Sequence, residues 1–133
     1  MPGRTWYIMI HRMRLNAAPF DAIASGEKTI ELRLFDEKRR AIRVGDEIEF
    51  ECVGDSDRRV ARQVIALHVF RSFDELYAAL PLEKCGYTTD EVGAGLARAE
   101  DMREYYSSED EARWGVVGIE LGTCEILRGE NDN

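Results

Sequence analysis

The densest chemistry in this sequence lies in one short segment, Gly26-Glu27-Lys28-Thr29-Ile30-Glu31-Leu32-Arg33. In an extended chain every second side chain shares a face, about 6–7 Å from the next. Thr29, Glu31 and Arg33 are then expected to project together, with Ile30, Leu32 and Leu34 anchoring the opposite face and Lys28 on the turn before them. A cation, a hydroxyl, a carboxylate and a guanidinium would converge within reach of one small ligand. With Glu31 as general base and Lys28 as electrostatic stabiliser the set suits hydrolysis. It suits a binding pocket equally well, with Glu31 accepting from an amine and Arg33 bonding to or stacking on a nucleotide. The plainer alternative is an exposed Glu31–Arg33 ion pair worth about 0–1 kcal/mol.

A basic stretch follows, with Lys38, Arg39, Arg40 and Arg43 outnumbering Asp36 and Glu37. It is read as a polar loop, either a solvated charge run or the one surface able to meet phosphate. The whole chain carries a net charge of −8. Affinity for long polyanions comes from neutralising phosphates with Lys and Arg, so DNA is not an expected partner, and RNA must be met locally, as a short strand or as a single nucleoside. His11 enters the candidate list through its position on the first strand; His68 reads as structural. Trp6 and Tyr7 offer rings on which a base can stack, and Tyr105, Tyr106 and Ser107 are candidates for a cleft rim, although Tyr106 fits a core stripe and Ser107 a helix cap. Cys52, Cys85 and Cys124 are too far apart for a disulfide framework or a zinc knuckle and read as buried small hydrophobes. No metal and no cofactor is expected. Gly93-Ala94-Gly95 lacks the preceding strand and third glycine of a dinucleotide loop.

The elements that must position these groups follow from periodicity. Tyr7–Met13 alternates as a strand. Asn16 caps a helix through Phe20, Ile23 and Ala24, which Gly26 stops. Thr29–Leu34 is the next strand. Val44-Gly45-Asp46 turns into a strand with Ile48, Phe50 and Cys52 inward, Gly54–Asp57 reads as a hairpin loop, and Val60–Phe70 returns. Ser72 caps a helix that Pro81 ends. Thr89 caps another with Val92, Leu96, Ala99, Met102 and Tyr106 on one stripe, and Ser107 or Ser108 opens a third. Val116–Leu121 is the last strand, and residues 128–133 read as a frayed tail. The 133 residues, 44% hydrophobic and 33% charged, fit one domain with a core of about 7–122. The expected fold class is α+β: a small, curled, antiparallel or mixed β-barrel with helical inserts. No apolar run approaches a membrane span, and the N-terminus does not resemble a signal peptide, so a cytoplasmic protein is expected.

Taken together, His11-x-Met13-x-Leu15, Pro19-Phe20, Ile23, Gly26-x-Lys28-Thr29-Ile30-Glu31-x-Arg33-Leu34, Asp36-x-Lys38-Arg39 and Ile42-x-Val44-Gly45-Asp46-x-Ile48-x-Phe50 resemble the ASCH family, a PUA-like group. The likeness covers about residues 7–53, and Tyr105-Tyr106-Ser107 and Trp114–Ile119 fit the end of such domains. The resemblance implies a barrel with a cleft floored by the Gly-x-Lys-Thr segment and an RNA or modified-nucleoside ligand. Some relatives resemble ribonucleases, and one branch deacetylates N4-acetylcytidine with the motif lysine, a threonine three residues later and a distant glutamate. Lys28 matches the lysine, but Glu31 stands at the threonine position, so a hydroxyl-nucleophile mechanism does not transfer. RNA or nucleoside binding is therefore the leading expectation. A ribonuclease or N-acyl-nucleoside amidohydrolase is the alternative, and a protein-interaction domain the weaker one.

Overall fold

The structure is a computed structural model and describes residues 7–123. Trp6, Cys124 and the 128–133 tail lie outside these residues. The first strand, β1 (Ile10–Leu15), begins later than its alternation suggests. It runs into α1 (Ala17–Ser25), where Asn16 takes the cap position and Gly26 ends the helix at φ +88°, a left-handed conformation that glycine adopts without a Cβ clash. Strand β2 (Ile30–Leu34) follows.

The basic stretch expected to be a loop contains a short helix, α2 (Glu37–Arg40), started by the Asp36 carboxylate accepting from the Arg39 amide at 3.1 Å. Strands β3 (Glu47–Cys52) and β4 (Asp55–Phe70) form a hairpin. Its turn is tighter than expected: Cys52 already pairs with Asp55, so Asp55, Ser56 and Asp57 belong to β4. Ser72 caps α3 (Phe73–Ala79) as anticipated. The single helix expected after Thr89 is instead two pieces, α4 (Thr89–Gly93) and a 3-10 turn at Ala99–Glu104. Thr88, not Thr89, caps α4 through a reciprocal bond with Glu91. Gly93 and Gly95 interrupt the apolar stripe, and helix propensity at two such close glycines is poor. Helix α5 (Ser108–Trp114), capped by Ser107, leads into β5 (Val116–Thr123).

The five strands form one mixed sheet in the order β1-β3-β4-β5-β2. The β1–β3 pair is parallel and the others are antiparallel. Inner-face residues of β1, β3 and β5, among them Met13, Phe50 and Ile119, pack with Phe20 and Ile23 of α1. On the outer face Ile30, Leu32, Leu34 and Val116 pack with Phe73 and Leu76 of α3 and with Met102. Strand β5 is therefore buried on both sides. At Gly118 a Cβ would lie 2.7 Å from Leu80 Cδ1 and 3.2 Å from Ile30 Cγ2, so a side chain there would push α3 off the sheet.

The sheet does not close into the expected barrel. Among the described residues no ladder joins β1 to β2; Arg33 Nη2 of β2 instead donates to the Arg14 carbonyl of β1 at 3.2 Å. Charged side chains of β2 and a cavity occupy the seam where closing hydrogen bonds would run. Among the described residues no helix is long and apolar enough to cross a membrane.

A second fastening holds the far end of β1. The buried Asp46 carboxylate accepts from the amides of Met9 (3.2 Å) and Arg43 (2.9 Å) and lies 2.8 Å from His11 Nε2. Burial pushes its pKa up most strongly, yet these hydrogen bonds hold it below the ordinary aspartate value. Asp46→Ala leaves two amide donors unanswered in a buried site, and a loss of about 2–3 kcal/mol is expected in urea denaturation, with the fold retained.

Candidate functional site

Three backbone bonds place Lys28 and β2 at the seam. The Lys28 amide donates to Ala22 O at 2.9 Å, the Thr29 amide to Lys84 O at 2.9 Å, and the Leu121 amide to Thr29 O at 2.8 Å. From there β2 pairs with β5, setting Glu31 against Ile119 and Arg33 against Val117 on the inner face. Both cations converge on one carboxylate: Lys28 Nζ lies 2.7 Å from Glu31 Oε1 and Arg33 Nε lies 2.7 Å from Oε2. Glu31 is only 3% exposed.

Burial is the largest influence on Glu31 and by itself would raise its pKa. The charges and hydrogen bonds of Lys28 and Arg33 together outweigh it and hold the carboxyl below the ordinary value. Burial likewise works against the charge on Arg33, but Glu31 keeps the guanidinium more firmly protonated than usual. The triad is thus two cations sharing one anion, fixed in place and retaining one positive charge.

The triad forms part of the wall of a cavity of about 570 Å³ between the two sheet edges. Arg14 and Leu15 at the end of β1, together with Ala18 and Ala22 of α1, form one side. The helical insert forms the other through Cys85, Gly86, Tyr87, Asp101, Met102, Tyr105 and Tyr106. Tyr87 donates to Asp101 Oδ2 at 2.8 Å and lies 2.8 Å from the Tyr77 hydroxyl, so Tyr77 donates to Tyr87 in turn. This chain ties the segment after α3 to the 3-10 turn and fixes that wall. Burial pushes the Cys85 thiol up to about 11, which leaves it protonated and a weak nucleophile at neutral pH.

The structure therefore brings Lys28, Glu31 and Arg33 to one cavity, with the rim candidates Tyr105 and Tyr106 on its wall, and places Thr29, Lys38, Arg39, Arg40 and His11 elsewhere. Thr29 borders a smaller cavity of about 350 Å³, with Ser25, Arg62 and Gly122. Lys38 is exposed on α2. Arg39 pairs with Asp36 at 3.3 Å, and among the described residues its buried Nε has no hydrogen-bond partner. Arg40 lies over the Phe35 ring and donates to the carbonyls of Phe35 (2.6 Å) and Trp114 (2.9 Å). His11 is engaged with Asp46. Arg14, Tyr87 and Asp101 went unnoticed in the sequence; each reaches the site through tertiary packing, and no local spacing marks them. Among the described residues no group of three or more His, Cys, Asp or Glu side chains is arranged to hold a metal ion.

A family model described as the ASCH domain matches residues 13–125, most of the chain and every residue of the triad and cavity wall. The chain belongs to the ASCH domain family. Among solved structures, this ASCH domain is similar to hypothetical protein PH0355, at 33% identity and a TM-score of 0.70 over 85% of this chain and 97% of the other. It is also similar to protein PF0455 of Pyrococcus furiosus, at 31% identity and a TM-score of 0.62 over 88% and 99% of the two chains. The ASCH protein of Zymomonas mobilis shares the fold at 14% identity and a TM-score of 0.55, over 93% of this chain and 80% of its own. No curated protein matches the chain at a significant level.

The triad gives this ASCH domain a defined response to acid. Because the folded Glu31 carboxyl binds its proton more weakly than the unfolded one, unfolding takes up a proton between the folded value and the ordinary carboxylate value near pH ~4. The stabilisation is complete above that range and is lost as the pH falls through the folded value. Glu31→Gln leaves two largely buried cations at the cavity wall without their anion, and a loss of up to about 3–5 kcal/mol, the scale for a fully buried pair, is expected at neutral pH. Thermal unfolding from pH 7 to pH 3 checks both points: the variant should start less stable and lose less on acidification than the wild type.

Proposed function

We propose that this ASCH domain binds RNA or a modified nucleoside, taking one nucleoside unit into the cavity between the sheet edges. The observation that carries the reading is the buried Lys28–Glu31–Arg33 triad, held rigidly at the wall of a cavity of about 570 Å³. That volume lies within the ~300–1,000 Å³ typical of small-ligand sites. It suits a single nucleoside, or one base splayed out of a single strand, and not a duplex. Lys28 spends one contact on Glu31 and keeps donors for a ligand. At the mouth, Tyr105 is 60% exposed and offers a ring face for stacking. The ASCH family is generally linked to RNA, in agreement with this ligand class.

The hydrolase alternative finds less support. A general base works best with a pKa near the working pH. Glu31 is held below the ordinary carboxylate value, with both oxygens engaged, and is a weak base. The basic stretch also contributes less to RNA contact than its composition suggests, since Arg39 is half-buried against Asp36 and Arg40, though exposed, directs its guanidinium to the carbonyls of Phe35 and Trp114.

Calorimetric titration with cytidine, N4-acetylcytidine and a short single-stranded RNA at two salt concentrations tests the proposal. Saturable binding of at least one ligand is expected, weakened about tenfold or more by Lys28→Ala, the scale of a lost charge-assisted hydrogen bond. Absence of binding by all three at low salt would overturn it, and product analysis of the same mixtures reports any turnover.

A further inference from the structure

Tyr77, Tyr87 and Tyr106 are the half-buried tyrosines of the cavity wall. The hydroxyls of Tyr77 and Tyr87 are committed to the chain that ends on Asp101. Tyr106 differs. Its ring stacks on the buried Phe73, with centroids 5.9 Å apart and planes 16° from parallel, and its amide is fastened to Met102 O at 2.9 Å. The ring is thus locked into the outer core, yet among the described residues its hydroxyl has no hydrogen-bond partner. The hydroxyl is not sealed from water, so on the wall of this cavity it is a donor open to an incoming ligand.

Phenol and guanidinium are close enough for Tyr106 and Arg33 to influence each other's protonation, with Glu31, Asp36 and Arg39 also within electrostatic reach of the phenol. Burial raises the Tyr106 pKa, so the group is a neutral O–H donor at physiological pH. Arg33 spends Nε on Glu31 and Nη2 on the Arg14 carbonyl, and among the described residues Nη1 has no partner. Two uncommitted donors therefore stand on neighbouring walls of one cavity.

We infer that Tyr106 is a ligand-contacting residue whose hydroxyl, together with Arg33 Nη1, forms a clamp for an acceptor oxygen of the ligand. The inference rests on the nucleoside-binding reading and gives it a polarity: the ligand presents an oxygen acceptor, a base carbonyl or a phosphoryl oxygen, to this wall. The phenol adds a directional neutral donor to a cation that alone discriminates little between oxygen ligands.

Tyr106→Phe removes the donor and leaves the stacked ring in place. Cytidine, uridine, N4-acetylcytidine and the two pyrimidine 5′-monophosphates are titrated into wild type and variant. A loss of about tenfold in affinity is expected in the variant, together with a melting temperature equal to or above that of the wild type, because a purely structural hydroxyl would lower it. A loss seen with nucleosides assigns the clamp to a base carbonyl, and a loss confined to the monophosphates assigns it to phosphate. Equal affinities in wild type and variant for every bound probe overturn the inference while leaving nucleoside binding intact. Wild-type protein that binds neither these probes nor a short single-stranded RNA removes the underlying reading itself; where RNA alone binds, the same comparison of wild type and variant on RNA decides the clamp.

Discussion

A single carboxylate shared between two cations sets the terms for this structure. Glu31 lies on the inner face of a strand that the hydrophobic effect alone would fill with leucine or valine. Ionised and out of water, it is tolerable only because Lys28 and Arg33 approach both oxygens at 2.7 Å. That requirement fixes the lengths around it. The chain must leave α1 at Gly26 so that Lys28 lies on the turn, and β2 must pair with β5 in the register that puts Glu31 and Arg33 on the same face. It also explains why the sheet stops short of a barrel. The guanidinium that serves Glu31 reaches on to the Arg14 carbonyl and takes the place where a closing ladder would start.

The local pattern carried this much unaided. Alternation at Ile30, Leu32 and Leu34 predicted the strand, the i, i+2 spacing predicted that Glu31 and Arg33 share a face, and Gly26 predicted the helix end. Burial of Glu31 was not legible, since a charged residue on an alternating strand is most simply read as solvent-facing. Glu31 is covered by Lys28 and Arg33 at a cavity that β1, α1 and the helical insert, some 50 to 75 residues further along at Cys85–Tyr87 and Asp101–Tyr106, wall in together. The same distance hid Tyr87 and Asp101, which have no motif and matter only through where the insert folds back. Errors inside the insert had a local cause: the apolar period from Val92 to Tyr106 is helical on paper, but Gly93 and Gly95 divide it into two short pieces.

The basic stretch shows how a composition can mislead about its own use. Read as free charge, Arg39 and Arg40 suggested a phosphate surface. In the fold, Asp36 starts a turn of helix that points Arg39 back at Asp36 itself and sends Arg40 across Phe35 to the carbonyl of Trp114. Arginine suits this work because its planar group can stack on a ring and donate to carbonyls at once. The stretch thus joins the start of β5 to the end of β2, and contributes to the site by holding the strands that carry it.

The parallel pairing of β1 with β3 leaves the molecule with two free margins, and the curl turns them toward one another. A flat sheet with the same order would offer both as templates for strands of other chains, the usual route to aggregation. Here β2 is shielded by the insert and β1 carries the outward charges of Arg12 and Arg14. The gap, a cavity of about 570 Å³, is thus too confined and too polar to recruit a neighbour's backbone. An unclosed sheet need not expose a template for foreign strands when its opening faces inward.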